Sequence, residues 1–246
     1  MPSICFGDYR GGCLNYIILG GSILSCALAE KLSENSQVYI VDSRMELGMP
    51  TTDIGLIDNK NSISHFMDES KFEYANFHEN GIRAEWVAKF YSHYLTKIGV
   101  KILTRSRVIK HADSVEIKSL DSSMKLNPSS TKIFDLRNVS GNVRMNAENT
   151  DIEEETYNPL DISNYIIREG GIISSDERFE NLEFDLLRAD GTREIWWKAT
   201  KQSPKPNLGF LERMSNFGPA EKSKNSIDSI IELATEMSQF IQSNNG

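Results

Sequence analysis

Apolar positions along the chain alternate between two periods. From Asn15 to Arg44 the order is a four-residue apolar run, Tyr16 to Leu19, then Gly20-Gly21-Ser22, then Ile23, Leu24, Ala27, Leu28 and Leu32 at helical spacing, then Val38 to Val41. This predicts strand, glycine turn, helix and strand, a βαβ unit with parallel strands and a right-handed crossover. Glu46 to Gly81 has no sustained period and is punctuated by Gly48, Pro50, Gly55, Asp58 and Asn59, so it reads as an excursion over the sheet. Trp86, Val87, Phe90, Tyr91, Tyr94, Leu95 and Ile98 recur at three and four, which predicts an amphipathic helix stopped by Gly99 and followed by a strand from Val100 to Leu103.

Beyond Val108 the pattern shifts to short runs around turn residues. KIFDLRNVSGNVRMN, YIIREGGIISS and LEFDLLRADGTREIWWKAT read as hairpins turning at Ser-Gly, Gly-Gly and Asp-Gly. The acidic AENTDIEEETYNPLD reads as an exposed loop and KQSPKPN as a linker. After an Asn225-Ser226 cap, Ile227, Ile230, Ile231, Ala234, Met237, Phe240 and Ile241 mark a last amphipathic helix. The expected class is α/β: a Rossmann-like parallel sheet in residues 1–112, then an antiparallel, β-hairpin-rich region with a C-terminal helix in residues 113–246.

Composition narrows the function classes. With 35 acidic against 27 basic residues the net charge is -8, which disfavours nucleic acid as a partner. No stretch reaches the roughly 18 apolar residues of a membrane span. Three cysteines, Cys5, Cys13 and Cys26, and no signal-like N-terminus suggest a reducing, cytoplasmic setting. The four histidines show no metal-ligand spacing, so no metal is assigned, and neither a Gly-x-Ser-x-Gly elbow nor a Gly-Lys-Ser phosphate loop occurs.

The candidate chemistry sits at the first turn. A dinucleotide fingerprint places three glycines there: one for the turn, one for approach to the diphosphate and one for helix packing. An acidic residue some twenty positions on holds the ribose. Here Gly20 stands at the first position and Ser22 and Ser25 at the other two, with Gly21 between and Asp42 closing the second strand. Asp42 is the candidate ribose ligand; nearby Arg44 would instead suit a 2′-phosphate. A turn of this kind that binds nothing is the competing reading. Cys26, next to Ala27 and Leu28, reads as a packed small hydrophobe rather than a nucleophile. Trp196-Trp197 puts one indole on each face of a strand, leaving one of them either for a partner or ligand or covered by the last helix.

NYIILGGSILSCALAEKLSENSQVYIVDS resembles the N-terminal segment of FAD-dependent oxidoreductases, and RAEWVAKFYSHYLTKIGVKILTRSRV resembles their later helix, strand and valine. The resemblance covers about the first 110 residues; an Ala-x-Gly strand end and a Gly-Asp motif before the last helix are absent. It implies that Gly20, Gly21, Ser22, Ser25 and Asp42 hold the ADP half of FAD, with Val108 beside the adenine and the redox chemistry residing in the flavin. Two other readings stand beside it: an NAD-dependent oxidoreductase, and a non-catalytic Rossmann-like protein that binds a protein partner through its hairpins. Substrate and catalytic residues are unknown from sequence.

Overall fold

The computed structural model describes residues 14–49, 53–137, 160–174 and 177–243. Strand β1 (Asn15–Leu19) lies in a four-stranded parallel sheet between β2 (Gln37–Val41) and β7 (Thr131–Asp135), with β3 (Lys101–Leu103) outside β2. The register is continuous: Leu19 stands opposite Val41 on one side and Asp135 on the other. The apolar runs of β1 and β2 follow from burial on both faces. Tyr16, Ile18, Val38 and Ile40 point into the helical core, whereas Ile17, Leu19, Tyr39 and Val41 point the other way.

On the first face lie α1 (Ile23–Ser33), α3 (Ala84–Lys97) and the last helix α4 (Ile227–Ser243), which packs along α1. A short helix, α2 (Glu69–Tyr74), precedes α3. Tyr91 of α3 is fully buried and stacks on Phe66, ring centroids 4.1 Å apart, so the aromatic stripe of this helix is core. The second face is covered by an antiparallel meander of β4 (Arg107–Lys110), β5 (Val115–Lys118) and β6 (Ser123–Leu126), whose Val108, Val115 and Ile117 meet Ile17 and Val41.

The remaining strands form a separate antiparallel sheet in the order β11 (Glu212–Pro219), β8 (Tyr165–Ser174), β10 (Thr192–Lys198), β9 (Phe184–Leu187). The Asp-Gly hairpin forms as expected between β9 and β10, with Gly191 at φ +78°. Two other expected hairpins differ. Lys132 to Asp135 is a parallel strand beside β1, and the Ser-Gly turn expected after it lies outside the described residues. YIIREGGIISS contains one unbroken strand, because Gly170 and Gly171 make room rather than a turn. A Cβ on Gly170 would stand 2.5 Å from the Trp196 ring, and one on Gly171 2.3 Å from Phe210.

Both tryptophans are buried. Trp196 packs with Ile54, Leu56, Ile172 and Met214; Trp197 packs on the opposite face with Ile173, Ile195, Phe179, Leu182 and Phe210. The second face is thus closed by chain segments around Phe179 and Phe210 instead of by α4 or a partner. Strand β7 and helix α4, both from beyond residue 112, pack with the first sheet. The buried Arg168 of β8 ties the second sheet to the turn before α4, donating to the carbonyls of Pro219 (2.8 Å) and Ala220 (3.3 Å). No helix among the described residues is long and apolar enough to cross a membrane.

Candidate functional site

At the carboxyl edge of the parallel sheet, β1 passes into α1 through Gly20-Gly21-Ser22. Gly20 adopts φ +101°, a conformation that glycine reaches without the penalty of a side chain, and its amide donates to the Val41 carbonyl at 3.0 Å. Its Cβ position would lie 3.2 Å from the backbone of Arg137, so the chain just after β7 closes tightly on this side. Ser22 is extended and caps α1: its Oγ accepts from Ser25 N at 3.2 Å and lies 3.2 Å from Ser25 Oγ. The two serines that replace fingerprint glycines therefore bond to each other and to the helix backbone. Both are fully buried.

Asp42 follows β2 directly, 5% exposed, with its amide paired to Leu103 O. Both carboxylate oxygens are engaged by Arg44, through its backbone N at 2.8 Å, Nε at 3.0 and 3.1 Å and a terminal guanidinium nitrogen at 2.6 Å. The same Asp-x-Arg turn recurs at the end of β7, where Arg137 N donates to Asp135 at 3.0 Å and its guanidinium pairs with that carboxylate. Gly20, Gly21, Ser22, Ser25, Asp42 and Arg44 are brought together at this edge. Val108 lies in β4 of the meander, paired with Ile117 and packed in one cluster with Leu19 and Val41 at the ends of β1 and β2.

One participant left no periodic signal in the sequence. Asp53, 6% exposed, accepts from Ile23 N at 3.1 Å, so a carboxylate sits at the N-terminus of α1. That helix end favours an anion through its dipole and its first-turn N–H groups, of which Ile23 N is taken by Asp53 and Ser25 N by Ser22. Burial pushes the Asp53 carboxyl above the usual carboxylate range, opposed by the Ile23 hydrogen bond and by Arg44. Leu47 covers the turn: a Cβ on Gly21 would meet Leu47 Cδ2 at 2.3 Å and Asp42 Oδ2 at 2.6 Å, and Gly48 N donates to Gly21 O at 2.8 Å. Asp53 and Leu47 lie in the segment that reads as an irregular excursion, where neither spacing nor composition singles them out.

That segment continues to the second sheet. Gly55 N donates to the buried Glu194 at 2.9 Å, and Glu194 also accepts from Trp196 Nε1 at 2.6 Å and from Arg188 at 2.5 Å. Gly55 is obligatory, since its Cβ would fall 1.9 Å from Ile82 O. Cys26 is buried in α1; burial, and then the charges of Asp53 and Asp42, push its thiol well above the ordinary range, which suppresses the reactive thiolate. No group of three His, Cys, Asp or Glu side chains among the described residues is arranged to hold a metal.

The β1 turn, the N-terminus of α1 and the Asp42 carboxylate thus share one edge of the sheet, with Asp42 held by Arg44 and the helix terminus occupied by the Asp53 carboxylate. A bound diphosphate would have to displace that carboxylate or share the helix end with it. The sequence matches no protein-family model and no curated protein. Among solved structures, the chain is similar to a geranylgeranyl bacteriochlorophyll reductase-like protein from Thermoplasma acidophilum, with a TM-score of 0.59 and 10% identity over 94% of this chain and 79% of that one. It is also similar to the p-nitrophenol 4-monooxygenase of Pseudomonas putida (TM-score 0.52, 9% identity, 92% and 79% covered). A flavoprotein/dehydrogenase from Cytophaga hutchinsonii gives a TM-score of 0.51 at 10% identity, with 94% and 79% covered. At such identities the likeness is one of fold alone.

Proposed function

We propose that this chain is an FAD-dependent oxidoreductase-like protein that holds the ADP half of its cofactor at the β1–α1–β2 edge. The observation that carries the reading is the juxtaposition of the positive-φ Gly20 turn, the Ser22-capped N-terminus of α1 and the Asp42 carboxylate at the end of β2. The helix terminus would receive the diphosphate and Asp42 the ribose hydroxyls, once Arg44 turns away from one carboxylate oxygen. Flavin, when bound, would supply the electron transfer. The protein's own part is to bind and orient: Gly20 and Gly21 keep side chains out of the turn, Ser22 fixes the helix end, and Asp53 sets the charge against which a diphosphate competes.

The expectation of an exposed tryptophan, which favoured a partner-binding role, loses its ground because both indoles are buried. Calorimetric titration of FAD and NAD into the parent and Asp42→Ala proteins tests the reading. FAD should bind the parent and bind Asp42→Ala more weakly by about tenfold, the scale of a charged hydrogen bond in free energy. Equal affinity in the two proteins removes Asp42 from the site, and a clear preference for NAD removes the flavin.

A further inference from the structure

On the face of the second sheet opposite Trp196, a cavity of about 480 Å³ lies between the chain before β9 and the chain after β10. That volume falls in the range of small-molecule pockets. Its most buried lining residue is Trp197, 1% exposed, and Phe179, Leu182 and Pro204 add apolar walls. We propose that this cavity binds an uncharged aromatic carbonyl compound whose oxygen accepts from Trp197 Nε1–H. The site is separate from the β1–α1–β2 edge and independent of the flavin reading.

The two neighbouring indoles of β10 differ in one respect. Trp196 Nε1 donates to Glu194 at 2.6 Å, as a buried indole N–H ordinarily does to some acceptor, whereas Trp197 Nε1 is buried and meets no acceptor among the described residues. An unpaired buried donor opposes folding, and a ligand oxygen in the adjoining cavity relieves that cost. The indole is fixed from its other neighbours: the Arg213 guanidinium stands 5.0 Å from its ring centre and the Phe210 ring 5.8 Å, and neither residue lines the cavity. Arg213 Nη1 also donates to Ser203 Oγ at 3.0 Å, which anchors the 201–204 wall to the same side chain. The lining sets the ligand class. Phe179 and Leu182 suit the flat apolar body of an aromatic ring. The charged lining residues, Glu180 and Lys201, are of opposite sign and both exposed, so no buried cation offsets a carboxylate beside Trp197. Burying an uncompensated charge there costs more than burying a carbonyl that accepts one hydrogen bond, which favours the neutral acceptor.

Titration of acetophenone, ethylbenzene and benzoate into the isotopically labelled parent protein, followed by NMR through the indole N–H resonances of its three tryptophans, tests the proposal. Through-bond assignment identifies the Trp197 resonance, so the parent titration stands whether or not a Trp197 variant folds. Acetophenone should move that resonance downfield and saturably while the Trp86 and Trp196 resonances stay in place. Ethylbenzene, which keeps the ring and lacks the oxygen, should produce no downfield shift, and benzoate should bind more weakly than acetophenone. In Trp197→Phe, acetophenone should bind about tenfold more weakly than in the parent, the scale of one hydrogen bond, whereas ethylbenzene binds the two proteins alike. The proposal is overturned if the Trp197 resonance does not respond to acetophenone at millimolar concentration, if ethylbenzene shifts it equally, if benzoate binds more tightly, or if Trp197→Phe binds acetophenone as tightly as the parent. Failure of FAD to bind would leave these outcomes unchanged, and so tells the two readings apart.

Discussion

Asp53 places a buried carboxyl at the N-terminus of α1. Its carboxylate takes a helix N-terminal amide that a diphosphate would use, and burial holds its pKa above the ordinary value. A raised carboxyl pKa means that the stability it contributes is complete below the unfolded value of about 4 and is lost as pH rises through the folded value. Asp53→Asn keeps an oxygen for Ile23 N–H and removes the charge. Its thermal midpoint should therefore exceed the parent's at pH 8, and the gap should close toward pH 4; a gap that is constant with pH would contradict the assignment. The same substitution should tighten FAD binding, and parent affinity should rise as pH falls. At Ser22 the hydroxyl serves the helix, so Ser22→Ala should cost about 1 kcal/mol in urea unfolding while Ser22→Gly costs only a few tenths. A Ser22→Ala protein as stable as the parent would contradict the cap.

At the scale of elements, the βαβ unit was legible because local and global preferences agree there: an apolar run buried on both faces, a glycine at positive φ and a helix of small residues packed under α4. The second sheet was less so. Gly170-Gly171 has the composition of a turn, and only the distant Trp196 and Phe210 rings explain why the strand continues through it. Gly170→Ala should cost about 1 to 3 kcal/mol through overpacking against Trp196, read as a lower urea midpoint; an unchanged midpoint would mean that the ring is free to move. Strand β7 was hidden for a related reason, since KIFD suits either an antiparallel or a parallel partner and the choice is made by β1, more than a hundred residues earlier in the chain. Asp53 and Leu47 were invisible as site residues because an irregular segment has no period from which a facing direction can be read.

For the whole molecule, the segment after Asp53 joins the two sheets: Gly55 is bonded to Glu194, which pairs with Arg188 where neither side chain reaches solvent. Loss of one partner of a buried ion pair leaves an uncompensated charge, so Arg188→Met should destabilise by roughly 3 to 5 kcal/mol. Glu194→Gln, which can still accept from Gly55 and Trp196, should lose less than Glu194→Ala; urea unfolding orders the three variants, and an inverted order would contradict the hydrogen-bond role. The central claim is that the β1–α1–β2 edge still receives an adenine dinucleotide of the flavin type. Calorimetric titration of FAD into the parent and Asp42→Ala proteins measures it directly: the account predicts binding at one site, weaker after Asp42→Ala, and absence of FAD binding to the parent at millimolar concentration would contradict it.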